Sequence, residues 1–178
     1  MNRNFVSMAL TLHIHMQRLK DHTVRTLTGV PRSKRSMILP EVYLGGQYGQ
    51  QAIKKFKEWG ITCVVNMRIH SIHTDVKSLP LKILHLPTPD YYAPTFKQLE
   101  RGVEFIKDEV ESGGKVYIHC RQGEGRGPTM AIAYLIATGL TLEHAYQLVK
   151  KVRTFINPTH HQLLALKQFE KNILAAER

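Results

Sequence analysis

The chain has 178 residues, 43% of them hydrophobic, which is long and apolar enough for one domain with a buried core and excludes intrinsic disorder as the default. Two cysteines, Cys63 and Cys120, exclude a disulfide framework and suit a reducing, cytoplasmic setting; no apolar run approaches the ~20 residues of a membrane span, and no secretory signal pattern opens the chain. The formal net charge of +11 calls for an acidic partner or substrate, and residues 1–35, with seven Lys/Arg and one acid, Asp21, hold +6 of it.

Residues 1–37 read as a basic, helical N-terminal extension. Phe5, Ala9, Leu12, Met16 and Leu19 recur at steps of four and three, which predicts an amphipathic helix docked on the domain. An acidic-lipid contact and a mitochondrial-type presequence are the alternatives for this segment. "GVPRSKRS" reads as a basic linker. From residue 38 to 178 the pattern becomes strand, helix, strand, helix. "EVYLGG" predicts a short strand, and Gln47 to Trp59 a helix stopped by Gly60. "ITCVVNM" and "LKILHLP" predict buried strands. "PTFKQLERGVEFIKDEVESGG" predicts a helix with a capping box, Thr95 and Gln98. "KVYIHC" is a strand, and "PTMAIAYLIATG" is apolar all round, hence a buried helix. "TLEHAYQLVKKVR" and "THHQLLALKQFEKNIL" close the chain as helices, the second with a capping pair, Thr159 and Gln162. The alternation predicts an α/β fold with a mostly parallel central sheet and helices on both faces. In such folds ligands sit beyond the carboxyl ends of the strands.

That places the chemistry in the loop after "KVYIHC". Cys120 ends the strand, "RQGEG" follows, and Arg126 opens the next helix. Gly123, Gly125 and Gly127 permit a backbone whose N–H groups converge on an anion. The helix N-terminus adds partial positive charge, and Arg126 offers a planar fork for two phosphate oxygens. The field that holds a phosphate also favours a thiolate over a thiol. Cys120 then becomes a nucleophile at the floor of a phosphate cradle, and the implied reaction is attack on phosphorus. No metal or cofactor is expected, because amides and Arg126 carry the charge. The nucleotide-loop pattern "GxxxxGK[ST]" is absent. Cys63 reads as a small buried hydrophobe.

"HCRQGEGRGPTMAIAYLI" resembles the signature of the cysteine-dependent protein phosphatases, and its Gly-x-Gly-Arg form resembles the compact dual-specificity members. The resemblance runs from about "LPEVYLGG" to the end. It implies the phosphatase α/β domain, with Arg121, Gln122, Gly123, Glu124, Gly125 and Arg126 as the phosphate-binding loop beside Cys120. It implies that His119 helps to hold the loop and the thiolate from behind, where Thr129 is a further neighbour. The family's proton donor is an aspartate on a loop some thirty residues before the cysteine. Asp90, in "LPTPDYYAPT", lies thirty positions before Cys120 and takes that role, with Asp75 as the weaker candidate.

One departure stands out. The family commonly has Ser or Thr directly after the signature arginine, where its hydroxyl eases release of the sulfur; here that residue is Gly127. Slow breakdown of the phospho-enzyme is the expectation. Glu124, an acid at the rim, is expected to repel a highly charged inositol head group, so phosphorylated protein or peptide is the favoured substrate. The absence of long insertions favours a shallow site open to phosphoserine and phosphothreonine as well as phosphotyrosine. A lipid-phosphate phosphatase using residues 1–35 as its contact with an acidic membrane surface is the first alternative. A non-catalytic phosphate-binding module and a sulfur-transfer enzyme are disfavoured by the presence of Asp90 and Arg126 together with Cys120. Nucleic acid is not expected, because no stacking aromatics interleave with the basic residues. The pairs His70 and His73, and His160 and His161, lack carboxylate or thiolate partners at ligand spacing, so no metal site is expected.

Overall fold

Four short apolar runs pair in parallel: β1 (Val42–Gly45), β2 (Cys63–Asn66), β3 (Lys82–His85) and β4 (Val116–His119), in the order β1-β4-β2-β3. The structure is a computed structural model and describes residues 3–70 and 81–176. Every residue of β1, β2 and β4 is buried, as a parallel sheet covered on both faces requires. His119 pairs in register with Gly45 on one side and Asn66 on the other. The carboxyl ends of three neighbouring strands are thus level, and the loops that leave them open at one edge.

One face of the sheet carries α3 (Phe96–Glu111), α4 (Arg126–Ala137), α5 (Leu142–Val152) and α6 (His160–Ala176). α4 is buried from Arg126 to Ile136, and the other three helices pack around it. The capping box of Thr95 and Gln98 is formed at α3. The other face is covered by α2 (Gln51–Trp59), whose Ala52 and Phe56 meet Tyr43, Tyr48, Val64 and Tyr117. Burial of a Phe56-sized side chain contributes about 1.5–3 kcal/mol.

Three details differ from the sequence expectations. α2 begins at Gln51, four residues late, because residues 47–50 are spent on connections. Gln47 N–H donates to Arg121 O at 3.0 Å, and Gly49 N–H to Gly29 O at 2.8 Å. The "linker" is packed: a 3-10 turn spans Ser33–Arg35, Ser36 is buried, and Met37 bridges to Tyr43. The third difference concerns α1 (Arg3–Thr28), which docks by the wrong face for an amphipathic helix. Met8, Leu12, Met16 and Leu19 point to solvent, while Asp21 is buried. The inner partners are a carbonyl-rich loop and a buried arginine, which a polar face can satisfy and a leucine stripe cannot. The side chain of Phe5, together with His73 and Asp75, lies outside the described residues.

Candidate active site

Between Cys120 and α4 the chain turns its carbonyls outward, each onto a partner. Arg121 O accepts from Gln47 N–H at 3.0 Å and Glu124 O from Asn157 N–H at 2.7 Å. Gln122 O and Gly123 O accept from the Arg153 guanidinium at 2.8 and 2.7 Å. Gly125 O accepts from Thr129 N–H and from the Thr129 hydroxyl, both at 2.9 Å. Among the described residues, the N–H groups of Arg121, Gln122, Glu124, Gly125 and Arg126 have no protein acceptor. The N-cap of α4, Gly125, carries no side-chain cap. Unspent amides at a helix N-terminus are an oxyanion cradle.

Cys120 forms its floor. The Gly123 N–H donates to Cys120 Sγ at 3.2 Å. This approach requires glycine at 123: φ is +72°, and a Cβ there would lie 2.4 Å from the Gly45 carbonyl carbon. Beneath the loop His119 is fully enclosed, and burial pulls its pKa down to about 3, so the ring is neutral. Its Nδ1 lies 3.3 Å from Cys120 O; the tautomer with hydrogen on Nδ1 donates to that carbonyl. The ring is wedged against Tyr48 and Tyr117 at centroid distances of 5.3 and 6.0 Å.

Arg126 and Asp90 meet over this floor. One Arg126 terminal nitrogen donates to Thr88 O at 2.7 Å and the other contacts Asp90 Oδ1 at 2.8 Å. The buried Arg126 Nε has no partner among the described residues. The Asp90 side chain is 50% exposed, so its other oxygen is free to face a leaving group. The loop that carries it is pinned to the start of α6: Thr159 Oγ1 donates to Tyr91 O at 3.0 Å, and Gln162 Nε2 to Tyr92 O at 2.9 Å. Tyr91 holds a left-handed φ of 66° at that point, a strained conformation that these bonds maintain. A cavity of about 170 Å³ lies among Arg18, Asp90, Tyr91, Cys120, Arg121 and Gln162.

Residues 42–172 match the family model for the dual specificity phosphatase catalytic domain. The chain belongs to that family. It is 31% identical over 144 residues to dual specificity protein phosphatase 1-A of Xenopus laevis and to dual specificity protein phosphatase 1 of Homo sapiens. Those alignments cover 78% of this chain but only 37% and 38% of the two proteins, so the chain spans less than two fifths of the curated relatives it matches. Among solved structures, PTPMT1 in complex with PI(5)P superposes with a TM-score of 0.74 at 28% identity, covering 79% of this chain and 97% of that one. Tk-PTP in its active form superposes with a TM-score of 0.71 at 27% identity, covering 76% and 95%.

Three positions shape the loop of this dual specificity phosphatase domain. Glu124 does not stand free at the rim as its place in the loop implies. Arg18 Nε donates to Glu124 Oε1 at 2.9 Å, His22 Nε2 lies 2.8 Å from the same oxygen, and only 16% of the Glu124 side chain is exposed. Burial lowers the pKa of His22 despite the glutamate beside it, so Arg18 supplies the compensating charge. Glu124 therefore presents no free negative charge to repel a polyanionic head group. Thr129 spends its hydroxyl on Gly125 O and not on the sulfur. A Cβ at Gly127 would lie 3.6 Å from Cys120 Sγ and 3.1 Å from Leu44 Cδ1. A serine there brings its hydroxyl within reach of the sulfur if Leu44 yields slightly. A hydrogen bond to a charged group is worth about 1.5–3 kcal/mol. Gly127→Ser is therefore expected to speed phospho-enzyme breakdown by about tenfold, read as loss of the pre-steady-state burst. A wild-type enzyme without a burst removes the premise.

Sequence reasoning missed Arg153 and Arg18, which contact the loop, Arg25, which donates to Gln122 Oε1, and Asp21, which pairs with Arg153; all lie far from the loop along the chain. Asp21 was marked only by being the single acid of residues 1–35. Gln162 caps Thr159 N–H at 2.9 Å through Oε1, as its spacing predicts, while its Nε2 holds the Asp90 loop. Burial pushes the Cys63 thiol up to about 12, so it stays protonated and inert. Among the described residues no cluster of three or more His, Cys, Asp or Glu side chains is assembled to hold a metal.

Proposed function

We propose that the chain is a cysteine-dependent phosphatase that removes phosphate from phosphotyrosine and from phosphoserine or phosphothreonine in proteins. The carrying observation is the loop from Cys120 to Arg126, whose carbonyls are taken by partners while five of its N–H groups are not, with the Gly123 N–H on Cys120 Sγ, Arg126 bound to Asp90, and Asp90 and Cys120 lining one cavity. The Cys120 thiolate attacks phosphorus as the ester P–O bond breaks, and Asp90 gives its proton to the leaving oxygen. Water then attacks the cysteinyl-phosphate, Asp90 takes a proton from it, and the S–P bond breaks to release inorganic phosphate and the thiolate. The amides and Arg126 stabilise the charge on the equatorial oxygens in both steps. Arg126 must exchange its contact with Asp90 for phosphate when substrate enters, which frees the carboxyl group for its role.

A second reading, a lipid-phosphate substrate at an acidic membrane surface, is favoured by two observations. The acid of the loop is neutralised by Arg18, and α1 presents Met8, Leu12, Met16 and Leu19 to solvent beside Lys20. PTPMT1, a structural relative, was solved with PI(5)P bound. The two readings separate in one assay: phosphotyrosine peptides, phosphoserine and phosphothreonine peptides, and phosphoinositides in vesicles, with Cys120→Ser as the blank. Higher kcat/KM on the peptides supports the first reading. Preference for phosphoinositides, lost when Leu12 and Leu19 are both changed to Ser, establishes the second. Activity on none of them refutes both.

A further inference from the structure

We propose that α1 is a working part of the catalytic centre, and that Asp21 is a positioning residue acting through Arg153 to hold the phosphate loop open to an oxyanion. The proposal rests on the phosphatase reading above, but α1 lies outside the span of the family model, which begins at residue 42.

Arg18, Asp21, His22 and Arg25 fall on one face of α1, three and four residues apart. That face lies against the catalytic loop. Arg18 reaches Glu124 at 2.9 Å. Arg25 donates to Gln122 Oε1 at 2.6 Å and to Gln47 O at 3.0 Å. Asp21 grips Arg153: Oδ2 accepts at 2.9 Å and Oδ1 at 3.4 Å. Three consecutive loop residues, Gln122, Gly123 and Glu124, are thus held by α1 directly or through Arg153.

The Arg153 fork is fully used. Nε donates to Gly123 O, one terminal nitrogen to Asp21 and Arg35 O, and the other to Asp21 and Gln122 O. Five N–H groups meet five acceptors, and the guanidinium carbon sits 4.4 Å from the centre of the Phe155 ring. Both charged side chains are almost wholly enclosed, at 1% and 2% exposure. A guanidinium buried in this way needs its carboxylate, because an unpaired charge there is strongly disfavoured. Arg153 in turn keeps two carbonyls facing away from the cradle. If it tilts, those oxygens are free to rotate inward, where they oppose an incoming phosphate and withdraw the Gly123 N–H from Sγ.

The test uses the full chain. Asp21→Asn removes the charge and one acceptor while keeping the shape. Leu27→Ser, on the exposed outer face of the same helix, is the control. Two quantities are read well below each variant's melting temperature: kcat and KM on para-nitrophenyl phosphate, and the dissociation constant of orthovanadate measured by direct binding. The expected result is a fall in kcat/KM and a weakening of vanadate binding, each by about tenfold, with partial recovery in Asp21→Glu and no change in Leu27→Ser. If Asp21→Asn lowers the melting temperature but leaves kcat and vanadate affinity unchanged, Asp21 is merely structural and the proposal fails. Should Asp21→Asn not fold, Asp21→Glu decides: weakened vanadate binding in a folded protein supports the proposal, and wild-type binding overturns it. A wild-type chain that binds vanadate but hydrolyses nothing sinks the catalytic reading and leaves the loop-positioning claim to be judged on binding alone.

Discussion

Cys120→Ser is expected to reduce phosphomonoester hydrolysis by at least about 10⁴-fold, to the background rate. A serine hydroxyl is scarcely ionised at neutral pH, and among the described residues no side-chain base is hydrogen-bonded to Cys120 Sγ. His119 is the nearest candidate by sequence, but it lies beneath the loop, enclosed, with Nδ1 turned to the Cys120 carbonyl. The cradle itself survives the change, because the outward carbonyls are held by Gln47, Arg153, Asn157 and Thr129, none of which touches the sulfur. The variant should therefore still bind phosphate or a phosphopeptide while failing to turn it over. Single-turnover kinetics on para-nitrophenyl phosphate, paired with calorimetric binding of phosphate, measure both halves. Residual turnover above background moves the nucleophile elsewhere, and loss of anion binding would show that Sγ organises the loop.

Asp90→Asn should lower kcat by about 10²–10⁴-fold, the usual worth of a positioned proton donor. The amide oxygen keeps the contact with Arg126 that Asp90 makes at 2.8 Å, so folding and KM change little. What is lost is the transferable proton. The deficit must then depend on the leaving group: largest for the alkoxide of phosphoserine, smaller for the phenoxide of phosphotyrosine, smallest for a nitrophenoxide that departs unaided. A series of aryl phosphates of graded leaving-group basicity gives this as a steeper Brønsted slope in the variant. An unchanged slope would remove Asp90 from the role of acid. The pinning of its loop by Thr159 and Gln162 adds a related expectation. Gln162→Ala releases Tyr92 O and should reproduce part of the same defect.

Much of this was legible along the chain because the relevant physics is local. A glycine-rich turn between a β-branched strand and an all-apolar helix can face its amides inward with few outside contacts, and Cys120, Gly123 and Arg126 lie within seven residues. Capping pairs are local too, which is why Thr95 with Gln98 and Thr159 with Gln162 appear where their spacing places them. The distance of Asp90 from Cys120 in sequence was informative only through resemblance to a family. Periodicity failed at α1. It located the helix but assumed that an apolar stripe faces inward, whereas the face that docks is chosen by what lies opposite.

The sequence by itself determined the candidate loop with its cysteine and the order of strands and helices along the chain, because each depends on residues within one or two turns of one another. Only the tertiary structure decided how the loop is held and which charges remain at its rim. Arg153 is buried between Asp21, 132 positions away, and the loop carbonyls 30 and 31 positions away. Glu124 is matched by Arg18 across 106 positions. A buried ion has no sequence signature of its own, since its stability comes from partners that the fold alone brings together.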